Sequence, residues 1–244
     1  MVGMTRHDED RSDAPDGPAE TSGPAEARGY PAKRQAIMDA AADVFLREGY
    51  PRASVDAIAA AAGVSKQTVY NHFGDKDNLL VTVALAIQDE VLERQQALLD
   101  AAFPDFERLR DPARLRAELI DLTTGWVGMI MSERLSALRF LVFSEADHHP
   151  ELFKRWMDNG PRRIQPKLGE LLVRLARAGL LDVPPELAAE PERLAHQLTG
   201  AATYEIQNSV TFAKYRGAPD NGDTRALIAN GVDFFLRAYG LRPA

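Results

Sequence analysis

From Pro31 onward the apolar residues of this chain recur at three- and four-residue spacings, and nowhere does a run of Val, Ile, Thr or Tyr alternate with polar residues. A strand that buries one face needs a period of two, so this spacing calls for helices. The dipeptide Asn221-Gly222, a hairpin signal elsewhere, sits between two helical patterns. The chain therefore reads as all-α. No internal repeat is visible.

Punctuation divides the helices. A first helix spans Pro31 to about Glu48, with Ile37, Ala41, Val44 and Phe45 on one stripe and Gly49 beyond its end. Ser54 can cap a second, whose inner face is Val55, Ile58, Ala59 and Ala62, and Gly63 closes it. Ser65 caps a third from Lys66 to about Phe73, stopped by Gly74. Asp75 then opens a long fourth helix that reaches Phe103-Pro104. Asp111-Pro112, Glu133 and His149-Pro150 begin further helices. Gly160-Pro161 and Pro166 predict a kink or break. After the Val183-Pro184-Pro185 linker, the last two helices are expected over about 186–214 and 223–239.

Two short helices joined by a tight glycine turn have the form of a helix-turn-helix. Ala59 is small where the two cross, Gly63 supplies a left-handed turn, and Ile58, Val64 and Val69 can meet between them. On a helical wheel Val69 and Phe73 of the third helix point inward. Gln67, Thr68 and Asn71 point away, flanked by Lys66, Tyr70 and His72. Gln and Asn can pair with base edges, while Lys, Thr, Tyr and His reach phosphates. Capped helix pairs outside DNA-binding proteins also turn polar residues outward, so the pattern alone leaves both readings open.

The residues themselves are more specific. Lys33-Arg34-Gln35-Ala36-Ile37-Met38-Asp39-Ala40-Ala41, Phe45, Gly49-Tyr50, Ser54-Val55-Asp56-Ala57-Ile58-Ala59, the stretch from Ala62-Gly63-Val64-Ser65 to Phe73, and Lys76-Asp77-Asn78-Leu79-Leu80 together resemble the N-terminal domain of TetR-family transcriptional regulators. The resemblance covers about residues 31–90 without gaps. The region from Phe140 to Pro150 and the helix after it resembles the AefR-like regulators more loosely. The resemblance implies an N-terminal three-helix DNA-binding domain and a C-terminal helical domain that binds a small-molecule effector and dimerises. It also implies a homodimer on palindromic double-stranded operator DNA, and repression relieved by ligand. Carried over residue by residue, Ser54, Tyr70, His72 and Lys76 match phosphate-contact positions. Lys66, Gln67, Thr68 and Asn71 match recognition-helix positions, and Ser65 stands at that helix's cap. The family often has Gly or an apolar residue where Gln67 stands, which leaves the base preference open, and Thr where Ser54 keeps the hydroxyl.

Composition bounds the rest. The net charge of −7 argues against a non-specific nucleic-acid coat. Residues 1–30 hold much of that charge and almost no large apolar side chains, and read as a disordered acidic arm. Residues 31–90 then form the DNA-binding unit and 91–244 the helical ligand-binding and dimerisation unit. With no cysteine there is no thiolate chemistry. With no long apolar run and no leader pattern, a cytoplasmic protein without membrane contact is expected. No cofactor is expected. Candidate pocket residues are Trp126, Met129, Phe140, Phe143, Trp156, Met157 and Tyr204. The Gly200-Ala201-Ala202 run and Gly231 suit close backbone approach in a bundle, and Phe234, Phe235 and Tyr239 add apolar area for dimerisation through about 186–239. An activator or ligand-independent regulator fits the same DNA-binding unit. A third reading is a helical metal enzyme using Glu145, His148 and His149. A di-metal bundle needs two such pairs plus two further carboxylates, and one pair before a proline favours a helix-end cluster instead.

Overall fold

The computed structural model describes residues 24–211 and 221–240. Among these residues there is no strand. An isolated backbone pairing of Leu181 with Gly240 ties the end of the last helix to the loop after Gly179. The helices are α1 (Pro24–Glu48), α2 (Val55–Ala62), α3 (Lys66–Phe73), α4 (Lys76–Ala101), α5 (Pro112–Ile130), α6 (Glu133–Ser144), α7 (Pro150–Asn159), α8 (Pro161–Arg177), α9 (Pro185–Ala188), α10 (Pro191–Thr211) and α11 (Asn221–Tyr239).

The caps act where the sequence places them. Ser54, Ser65, Asp75 and Asp111 each accept a backbone N–H in the first turn of α2, α3, α4 and α5. Gly63 takes the left-handed conformation, φ +66°, between α2 and α3. Two boundaries differ from expectation. The helix expected from Pro31 begins at Pro24, so residues 24–30, read as part of a disordered arm, are helical and Pro31 lies inside α1. Both prolines suit a first helical position, and the earlier one is used. Residues 1–23 lie outside the described residues. The helix expected over 186–214 is interrupted, because Pro191 lacks the N–H that would carry one turn into the next; α9 is one turn and α10 starts afresh. Residues 212–214 lie outside the described residues. The break expected near Gly160 occurs there, while Pro166 remains within α8.

Two hydrophobic cores result. The N-terminal core gathers Ile37, Phe45, Ile58, Val69, Leu79 and Ile87 from α1–α4. It also takes Leu135, Leu138, Leu141 and Val142 of α6 and Leu152 and Trp156 of α7. The C-terminal core joins the second half of α4 (Leu92, Leu99) to α5, α8, α10 and α11. Helices distant in sequence are thus fixed onto the helix-turn-helix unit, each buried large side chain contributing about 1.5–3 kcal/mol. The two cores meet on α4 between Ile87 and Leu92.

Small residues set the closest approaches. A side chain at Gly231 would overlap the backbone of Ala201 and Ala202, so α10 and α11 pack tightly within one chain. Gly125 of α5 sits against Leu98 of α4, while Gly128 and Gly200 face open space. Beyond the end of α4, Phe103 is buried and holds φ +56°, a left-handed conformation that non-glycine residues seldom adopt.

Candidate nucleic-acid interface and ligand cavity

The glycine turn and the buried contacts of Val69 and Phe73 leave the opposite face of α3 to solvent. Lys66, Gln67, Tyr70 and Asn71 are exposed, as are the two capping residues Ser54 and Ser65. Ser65 Oγ lies 2.8 Å from Thr68 Oγ1, which holds the half-buried Thr68 against the cap. Gln67 Nε2 donates to Asn71 Oδ1 at 2.9 Å, so the two amides stand side by side along the solvent-facing stripe of α3. Lys66 Nζ donates to Asp56 Oδ2 at 2.9 Å, and this hydrogen bond, with the carboxylate's charge, raises the lysine pKa.

Two expected phosphate contacts are engaged internally. Lys76 Nζ donates to the carbonyls of Tyr50 and Ala53, at 3.1 Å each, and lies 4.1 Å from the Tyr50 ring centroid. It braces the loop before α2, leaving one N–H for another acceptor. His72 is half-buried under Tyr30, ring centroids 4.1 Å apart, and its Nδ1 is buried without a partner. Burial, then the charges of Arg34 and Lys33, lowers its pKa, so it is a neutral packing residue at neutral pH.

Tyr50 is a junction that periodicity did not single out. Its hydroxyl donates to Asp77 at the start of α4, and its ring meets His149 edge-on at 5.0 Å just before α7. The signal for it was an aromatic immediately after a helix-ending glycine, where a loop residue has no stripe to belong to.

A cavity of about 320 Å³ opens where the two cores meet. Trp126, Phe143, Trp156 and Met157 of the expected set line it. Met129 is buried elsewhere in the core. Phe140 and Tyr204, expected in the pocket, are 76% and 73% exposed. Phe140 misses because the cavity face of α6 carries Leu135, Arg139 and Phe143 at four-residue spacing, and its neighbour in sequence is turned about 100° away. On α10 it is Gln207, not Tyr204, that reaches the cavity. The polar lining, Gln88, Gln95, Arg139 and Gln165, was missed by a search for aromatics. Its signal was a polar residue on an inward stripe, as Gln88 stands beside Ile87 and ahead of Leu92.

Glu145, His148 and His149 do not assemble a metal centre. The Glu145 carbonyl accepts the backbone N–H groups of His148 and His149 at the end of α6, and His149 faces Tyr50. Among the described residues no group of three or more His, Asp or Glu side chains is placed to hold a metal ion. None of the described helices is long and apolar enough to cross a membrane.

The profile described as bacterial regulatory proteins, tetR family, matches residues 37–83, and that of the AefR-like transcriptional repressor C-terminal domain matches residues 117–241, half of the chain. The chain belongs to the TetR family. It is 34% identical over 73 residues to the HTH-type transcriptional regulator AlkX of Mycobacterium tuberculosis, covering 30% of this chain and 35% of the relative. It is 29% identical over 128 residues to the HTH-type transcriptional repressor KstR2 of Mycolicibacterium smegmatis, covering 52% and 62%. These matches span less than two thirds of either curated relative. A crystal structure of a TetR-family transcriptional regulator from Mesorhizobium loti superimposes with a TM-score of 0.69 at 27% identity, over 87% of this chain and 98% of that one.

Proposed function

We propose that this TetR-family protein is a DNA-binding transcriptional repressor that acts as a homodimer on two-fold symmetric operator DNA and leaves it when a small molecule fills the cavity. The location of that cavity carries the reading. Leu135 and Trp156 belong both to its wall and to the core that packs the helix-turn-helix. A ligand that moves α6 or α7 therefore acts on the same packed unit that positions α3. In this reading Gln67 and Asn71 meet base edges, Lys66, Tyr70, Ser54 and Ser65 meet phosphates or sugars, and Thr68 holds the cap. Lys76 and His72 support the interface from within. The division into a DNA-binding and a ligand-binding unit falls near residue 90, close to where the cores meet on α4. Exposed Tyr204 on α10 and Phe234 on α11 supply apolar area for the partner protomer.

Footprinting on the DNA upstream of the protein's own gene tests this. Two related half-sites centred about one helical turn, ~34–36 Å, or a multiple apart on one face are expected. Protection of a single asymmetric half-site by a monomer would contradict it. Asn71→Ala is expected to relax base preference at particular positions by ~1–3 kcal/mol, instead of weakening all sequences equally.

A further inference from the structure

The cavity's chemistry is one-sided. Its body is apolar, with Leu92, Trp126, Phe143, Trp156 and Ile164 around it, and among the described residues no Asp or Glu lines it. Among the described residues Arg139 is its one charged lining residue. The guanidinium donates through Nη2 to the Ile130 carbonyl at the end of α5 and to Ser136 Oγ at 3.3 Å, both neutral acceptors. Burial alone accounts for the lowering of its pKa, with no nearby carboxylate opposing it. Only Nη2 is engaged, so this half-buried guanidinium keeps its Nε and Nη1 donors for a carboxylate oxygen.

The other polar groups ask for the opposite partner. Gln88 is 4% exposed, and its Nε2 donates to the Trp156 carbonyl at 2.7 Å, which fixes the amide's orientation. Its Oε1 is then buried with no donor, and so is the Oε1 of Gln165. Gly160 keeps this arrangement open, since a side chain there would collide with the Gln88 amide. An unpaired buried acceptor is costly, and a ligand N–H or O–H relieves the cost.

We propose that the cavity takes a small aromatic or alicyclic carboxylic acid that also carries a hydroxyl or N–H group, its carboxylate paired with Arg139 and its donor directed to Gln88 and Gln165. The proposal rests on the ligand-released reading above and names its ligand class. The volume, at the low end of ligand pockets, suits a bicyclic ring system, and acidic walls that would attract a cation are absent from the lining.

Hydroxynaphthoate and its neutral isostere hydroxynaphthamide, titrated calorimetrically into the full chain, test the class. The acid is expected to bind at least about tenfold tighter than the amide. Arg139→Gln should weaken the acid by roughly tenfold to a hundredfold, the loss expected for a charge-assisted pair, and leave the amide unchanged. Arg139→Lys should recover part of the acid's affinity. The acid-to-amide comparison in the unaltered protein stands even if Arg139→Gln does not fold. Equal affinities for acid and amide, or no saturable binding of either at millimolar concentration, overturn the proposal. A parallel gel shift separates the two readings: acid binding that depends on Arg139 but leaves operator DNA bound would keep the ligand class and remove the ligand-released mechanism.

Discussion

Lys66 and Asp56 form an exposed ion pair on the side of the helix-turn-helix that is proposed to meet DNA. Such a pair contributes little to stability, yet Asp56 competes with phosphate for the same ammonium and adds a negative charge near the backbone. Asp56→Asn is therefore expected to tighten operator binding about two- to fivefold at low salt, with the advantage fading as salt screens it. Fluorescence anisotropy at two salt concentrations reads this, and unchanged or weaker binding would contradict it. His72 carries a second residue-scale expectation. Its folded pKa lies below the ordinary histidine value because the ring is buried beside Arg34 and Lys33. The unfolded chain then takes up the proton first as pH falls, so the stability contributed by the neutral ring is present above about pH 6.5 and is lost on acidification. Urea unfolding between about pH 7.5 and 5 should show a steeper acid-side loss for the unaltered protein than for His72→Gln. Equal slopes would remove the assignment.

At the scale of helices, α10 and α11 depend on Gly231. Adding one methyl group there forces the backbone of Ala201 and Ala202 away. Gly231→Ala should cost about 1–3 kcal/mol in urea unfolding despite the higher helix propensity of alanine, and a gain in stability would contradict the close packing. The small residues at these positions were legible in the sequence by their type, and the caps at Ser54, Ser65, Asp75 and Asp111 because each acts through its own backbone neighbours. The outward face of α3 was legible for the same reason: Val69 and Phe73 determine it locally. Long-range placements were not. Nothing in the spacing of Leu138 or Leu152 says that α6 and α7 pack on α1 and α4 and not on the helices next in sequence. Lys76 shows the same limit, since its turn toward the Tyr50 and Ala53 carbonyls depends on where a distant loop comes to rest. The cavity was half legible: aromatic residues pointed to it, but Arg139 and Gln88 are defined by partners they lack, which only a folded structure displays.

For the whole molecule, the proposed coupling between cavity and DNA has a path of contacts besides α4. α7 carries Trp156 in the cavity wall and follows His149, which faces Tyr50, and Tyr50 in turn meets Lys76 and Asp77. Tyr50→Leu is expected to leave ligand-free operator binding near its normal strength while reducing ligand-driven release. Moving occupancy from 99:1 to 1:99 needs about 5.5 kcal/mol of differential ligand binding, and linkage makes operator DNA weaken ligand affinity by the same factor. The ratio of hydroxynaphthoate affinities without and with operator should therefore shrink in Tyr50→Leu, and an unchanged ratio would show that the route does not run through this residue. Phe103 gives this route a mechanical scale. Buried and held in a left-handed backbone, it lies with Leu99 in the C-terminal core at the far end of α4, so in the proposed mechanism a tilt of that helix would be greatest at Lys76. The 26 residues of α4 make an arm of roughly 39 Å, and a tilt of about 5° sweeps its tip by about 3 Å. That is close to the ~3.4 Å rise of one base pair along DNA. In the proposed mechanism, such a tilt directed along the DNA axis would carry each α3 about one base-pair step out of register with its half-site.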